Sequence, residues 1–144
     1  MNEVYNLMDV FFLSTSGEGF CIPIIEAMGC GIPQVVTNYT TTYELLQEEI
    51  QTGLPVNLVG TLEKDNPIVH CNEIIAGTLT GTWNVERGIM SINHAVECLN
   101  RLYYEEQLRK ILSENSIIKA KKYYTWDKVI EKWEKVLMNL INSQ

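Results

Sequence analysis

The sequence predicts an α/β fold built on a parallel sheet, and three observations carry that prediction. Asp9-Val10-Phe11-Phe12-Leu13-Ser14 is a short, unalternating apolar run between polar residues, the pattern of a strand covered on both faces. Gln34-Val35-Val36-Thr37 is a second short strand, and a helix signal follows each of the two. From Ser91 onward the apolar residues fall at helical spacing. Strands alternating with helices imply a parallel sheet joined by right-handed crossovers.

The elements follow in order. Ser14 to Phe20 is polar, contains two glycines and reads as a loop. Pro23 suits the first turn of a helix that Ile24, Ile25, Ala27 and Met28 continue, and Gly29, Gly31 and Pro33 end it. Thr41 with Glu44 forms a capping-box pattern ahead of Leu45 and Leu46, so the next helix starts there. The stretch 47–88 is expected to be a variable loop region with one or two short strands, at Val56–Val59 and Ile68–His70, while Gly77–Thr82 has no clear period. Ser91 is a plausible cap for a helix whose stripe is Ile92, Ala95, Val96, Leu99, Leu102 and Tyr103. Leu108, Ile111 and Leu112 continue a second apolar face, and Ile117, Ile118 and Ala120 suggest a third, short helix. Thr125 then caps a last helix whose stripe runs from Trp126 through Val129, Trp133 and Leu137 to Ile141, wide enough to lie across a larger body.

Composition narrows the function. With 46% hydrophobic and 20% charged residues the chain is an ordinary globular one, and its net charge of -7 argues against a nucleic-acid partner. A small anionic ligand remains compatible, because backbone N–H groups at a helix N-terminus hold phosphate without a basic side chain. Cys21, Cys30, Cys71 and Cys98 form no C-x-x-C pair, and only His70 and His94 could complete a metal site, so no metal is expected and the thiols read as reduced. The run Val10–Leu13 is far shorter than the ~20 residues a membrane span needs. The first nine residues carry two acids and no base, the reverse of a secretion signal. The expectation is a cytoplasmic protein in which the sequon Asn38-Tyr39-Thr40 is fortuitous. His94 reads as structural, Lys119, Lys121 and Lys122 as a solvated helix face, and Trp126 and Trp133 as core or docking residues.

The stretch Ser16 to Met28 holds the chemistry. A strand ends at about Ser14 and a loop delivers the chain into a helix, and in open α/β sheets ligands bind at such carboxyl ends of strands. Gly17 and Gly19 let backbone N–H groups approach a ligand. Glu18 on the loop and Glu26 one turn into the helix could face one crevice and accept hydrogen bonds from sugar or ribose hydroxyls. The plainer alternative is that the two glutamates are solvated or only complement the helix dipole.

Glu18-Gly19-Phe20-Cys21-Ile22-Pro23 with Glu26-Ala27-Met28, then Gly31-Ile32-Pro33 and Val35-Val36-Thr37, resembles the signature of family 4 and related GT-B glycosyltransferases. That signature is two glutamates separated by seven residues, as Glu18 and Glu26 are. Tyr5-Asn6, Met8–Phe11 and Tyr124–Val129 resemble other elements of that family, so the likeness covers 1–46 and 88–142. It implies one partial, Rossmann-like donor-binding domain over 1–144, made of a site region (1–46), the variable region (47–88) and C-terminal helices (89–144). It also implies that Glu18, as catalytic and substrate-binding residue, contacts donor-sugar hydroxyls. The backbone of Gly19, Phe20, Cys21 and Ile22 would line the sugar and diphosphate, and Glu26 would hold the ribose, a carboxylate matching a vicinal diol with its two oxygens. Such transfer retains anomeric configuration and needs neither metal nor cofactor.

Cys21 stands where glycine is common in the family, and its thiol would be reactive if the helix N-terminus lowered its pKa. No Lys or Arg precedes Lys64, so a cationic clamp for the diphosphate is not evident. The acceptor domain and the opening strands of the donor domain are expected to lie outside this chain. The expected partners are a nucleotide-diphosphate sugar, and a second copy or another chain that supplies the missing half; peripheral membrane contact stays compatible. A non-catalytic, degenerate binding module on the same fold is the alternative reading.

Overall fold

The computed structural model describes residues 2–63, 66–69 and 87–143. A short helix, α1 (Asn2–Tyr5), leads into β1 (Phe11–Leu13), followed by α2 (Ile22–Gly29), β2 (Gln34–Thr37), α3 (Thr41–Gln47) and β3 (Gly53–Val56). The three strands form a parallel sheet in the order β1-β2-β3, with Phe11 opposite Gln34 and Gln34 opposite Gly53. The α/β fold expected from the sequence is therefore present.

β2 is central and wholly buried. Its pleat sends neighbouring valines to opposite faces. Val36 packs with Ile24 and Met28 of α2 and with Leu45 and Leu46 of α3, whereas Val35 packs with Leu54 and Val56 of β3. On that second face lie Ala95, Cys98 and Leu102 from α4 (Ile92–Tyr104) and Leu112 from α5 (Glu106–Tyr123). Helices thus cover both faces, as an unalternating apolar strand requires. Gly53 sits against β2 so closely that a Cβ there would collide with the Gln34 carbonyl.

β1 departs from expectation. Among the described residues it pairs only with β2, and Phe12 is 43% exposed, so one of its faces is open rather than covered.

α2 ends as its glycine predicts. Gly31 takes φ 71, its N–H bonds to Met28 O at 2.9 Å, and Ile32 N–H reaches Ala27 O at 3.0 Å. These two bonds form a Schellman motif, with Pro33 preventing continuation. α3 starts where expected, but the capping box does not form. The N-cap is Thr40, Thr41 is already helical, and no side chain caps the helix.

The stretch 47–88 holds more strand than expected. β4 (Leu58–Glu63) pairs antiparallel with both β5 (Asn66–Val69) and β6 (Arg87–Met90). His70, Cys71 and the segment Gly77–Thr82 lie outside the described residues.

Ser91 caps α4, its Oγ accepting from His94 N–H at 3.1 Å. The buried side of α4 is Ala95, Cys98 and Leu102, while Val96 and Tyr103 of the expected stripe are exposed. α5 is one continuous helix rather than two, and Leu112, Ser116, Lys119 and Ala120 form its buried side. The last helix, α6 (Trp126–Asn142), buries none of its residues. Trp126 and Trp133 are therefore not core residues.

Lys121 and Lys122 are exposed, as a solvated basic face implies, but Lys119 is not part of that face. Its side chain is buried, and its Nζ donates to Leu45 O at 2.6 Å, Glu48 O at 2.8 Å and Glu44 O at 3.3 Å. One ammonium thus joins three carbonyls at the C-terminus of α3, two of which also accept backbone N–H groups (Glu48 N–H to Glu44 O and Ile50 N–H to Glu48 O), and its charge suits that end of the dipole. Lys122 pairs with Glu49 at 3.1 Å on the surface.

Candidate functional site

The loop from β1 to α2 leaves the carboxyl end of the sheet and is fixed by one local bond and two from distant segments. Thr15 Oγ1 donates to Glu18 Oε1 at 2.7 Å, so the carboxylate folds back over its own turn. The Glu18 N–H donates to Thr40 Oγ1 at 3.2 Å, tying this loop to the one after β2. Gly88 N–H donates to Ser16 O at 2.8 Å, adding a third attachment from β6. A Cβ placed on Gly19 would meet no heavy atom within 4 Å, so the backbone there borders open space.

Two non-glycine residues near Glu18 hold positive φ. Cys21 lies in the left-handed region at φ 66 and ψ 70, and Thr40 has φ 55 and ψ -137. Such conformations cost a non-glycine residue about 1–3 kcal/mol and cluster where a site imposes them. At Cys21 the turn aims the chain into α2 and lets Ile24 N–H bond back to Cys21 O at 3.1 Å.

The Cys21 thiol is buried, which pushes its pKa upward. Burial outweighs the opposing hydrogen bond from the Ile24 N–H, and the nearby Glu18 carboxylate adds a smaller upward push. The condition for a reactive thiol, a pKa lowered by the helix N-terminus, is not met, and the thiol stays protonated at neutral pH. Cys98 is likewise raised by burial, and His94 is structural, its Nδ1 accepting from Asn57 N–H at 2.9 Å.

Glu26 lies on α2, where its Oε2 accepts from the Tyr5 hydroxyl at 2.7 Å. Tyr5 is buried beside Ala27 and Ile32, and its phenol is pushed up to about 12, first by burial and then by the Glu26 bond. Each glutamate thus has an intramolecular partner: Thr15 of its own loop for Glu18, and Tyr5 of α1 for Glu26. Phe20 and Ile22 are more than half exposed, and the Phe20 ring meets Tyr124 edge-on at 6.3 Å.

Thr15, Thr40 and Tyr5 escaped sequence reasoning. Thr15 had a local signal, a hydroxyl three residues before Glu18. Thr40 and Tyr5 had none, since their partners lie 22 and 21 positions away. A groove of about 510 Å³ lined by Asp9, Val10, Leu99, Leu102 and Arg109 lies at the amino end of β1, away from this loop. The carboxyl end is where open α/β sheets place ligands, so the loop is the stronger candidate.

A parallel sheet covered by helices, with a glycine loop feeding a helix at its carboxyl end, is the architecture of a partial Rossmann-like domain. Residues 1–66, less than half of the chain, match the family described as Glycosyl transferases group 1. That match contains the whole parallel sheet and its loop, and it supports a GT-B glycosyltransferase. The sequence matches no curated protein. Among the described residues, no helix is long and apolar enough to cross a membrane.

Proposed function

We propose that this chain is the donor-binding part of a retaining, metal-independent glycosyltransferase that takes a nucleotide-diphosphate sugar. Glu18 meets hydroxyls of the donor sugar, the backbone of Gly19 to Ile22 lines the sugar and diphosphate, and Glu26 accepts from the ribose diol. The observation that carries this reading is the strained turn at Cys21, which delivers the Glu18 loop into the helix that bears Glu26. The family match over the same residues supports it. Transfer itself requires an acceptor domain and a cationic clamp, which we assign to sequence outside this chain. On this reading 1–144 is one partial domain that works in the cytoplasm.

A second reading, a binding module that has lost transfer, is favoured by one observation. Residues 1–63 contain no Lys or Arg, and the buried Lys119 is engaged in holding α3. The two readings share the donor site and differ in turnover.

The test is a thermal shift and ligand-observed NMR with uridine, guanosine and adenosine diphosphate sugars. Weak binding with a raised melting temperature is expected, and Glu26→Ala abolishes both. Identical signals from wild type and variant would sink the site assignment.

A further inference from the structure

Glutamate has three side-chain torsions to order before its carboxylate can grip a diol, and ordering them at the moment of binding reduces affinity. Here the ordering is supplied by a residue outside the loop and helix. The Tyr5 hydroxyl donates to Glu26 Oε2 at 2.7 Å, and among the described residues no other group hydrogen-bonds that carboxylate. Tyr5 is itself held by packing: the residue is 6% exposed, packs with Ala27 and Ile32, and its ring stands 6.3 Å from the Phe11 ring. A carboxylate offers about four acceptor positions on its two oxygens. Tyr5 occupies one and leaves Oε1 and the second lone pair of Oε2, enough for two adjacent hydroxyls.

We propose that Tyr5 is a positioning residue that presets the Glu26 carboxylate to receive the ribose diol of a nucleoside diphosphate. This rests on the assignment of Glu26 to the ribose made above. The phenol keeps its proton throughout the neutral range, so the donor that holds Oε2 is always present.

The experiment measures dissociation constants by ligand-observed NMR for wild type, Tyr5→Phe and Glu26→Gln. The probes are uridine, guanosine and adenosine diphosphates and the 2′,3′-dideoxy form of whichever binds. Tyr5→Phe is expected to weaken the ribonucleotide by about three- to tenfold, through lost preorganisation, and to leave the dideoxy compound within about twofold. The contrast between two ligands on one variant separates positioning from general damage to the fold. Equal weakening of both compounds, or tighter ribonucleotide binding once Tyr5 no longer competes for Glu26, overturns the Tyr5 assignment and leaves the ribose reading standing. No nucleotide binding, or unchanged ribonucleotide binding by Glu26→Gln, overturns the ribose reading and the Tyr5 assignment with it.

Discussion

The Lys119 ammonium lies 2.6 Å from the Leu45 carbonyl, joining α5 to the end of a helix 74 positions earlier in the chain. Burial lowers the Lys119 pKa, and the neighbouring Glu48 and Glu49 carboxylates partly restore it. Lys119→Met keeps the stem but leaves carbonyls of Glu44, Leu45 and Glu48 without their shared donor. Hydrogen bonds to a charged group are worth about 1.5–3 kcal/mol, and desolvation of the ammonium offsets part of that. The expected loss is about 2 kcal/mol by urea denaturation, whereas exposed Lys121→Met stays within about 0.5 kcal/mol. Equal effects at both positions would show that Lys119 contributes no more than a surface lysine.

At Cys21 two contributions oppose each other. The left-handed backbone costs a residue with a Cβ about 1–2 kcal/mol, and glycine escapes that cost. Cys21→Gly also gives up a buried side chain, worth about 1 kcal/mol, and gains unfolded-state entropy that works against folding. These nearly cancel, so Cys21→Gly changes stability by less than about 1 kcal/mol. Cys21→Val stays apolar but adds a second γ group and places a β-branched residue at positive φ, and is expected to cost more than about 2 kcal/mol. Thermal melts of the two variants check the order. A valine variant as stable as the glycine one would remove the strain argument.

Local chemistry made β2 and α2 legible: an unalternating run between turn residues, Pro23 at the helix start, and Gly31 at the one position after it that needs left-handed backbone. The glycine loop was legible for the same reason. What stayed hidden depends on partners distant in sequence. Phe12 belongs to an apolar run that implies two covered faces, and only the packing of the described residues reveals that its side chain lies partly open and that β1 pairs there with β2 alone. Lys119 sits among other lysines and looks solvated until α3 is laid beside it. Glu18 and Glu26 were recognisable as candidates, but nothing local indicated that Thr40 would hold the first one's backbone and Tyr5 the second one's carboxylate.

Alkaline pH should expose the Tyr5–Glu26 bond. The Tyr5 phenol is raised from 10.0 to about 12 in the fold. Below pH 10 folded and unfolded chains both hold the proton, and the contribution to stability is complete. Between pH 10 and 12 the unfolded chain releases its proton first, so stability falls as pH rises through that window. Tyr5→Phe lowers stability near neutrality by about 1 kcal/mol, the worth of one hydrogen bond, and flattens the alkaline decline. Urea midpoints from pH 8 to 11.5 test this, with the wild-type minus variant difference isolating Tyr5 from other tyrosines such as Tyr124, also raised by burial. Parallel declines would mean that Tyr5 titrates normally.

The outer helix α6 carries Trp126, Ile130, Trp133, Leu137, Leu140 and Ile141, each more than half exposed. A continuous apolar stripe of that length is rare on a solitary soluble chain and favours association in water. Since α6 buries no residue of its own, a charge placed on the stripe disturbs little of the fold. Trp133→Glu and Leu137→Glu are each expected to shift folding stability by less than about 0.5 kcal/mol. In static light scattering at high concentration, the wild type should exceed the mass of one chain, and the double variant should return to it. A wild type that stays monomeric, or a double variant that remains associated, would show that this stripe does not drive assembly.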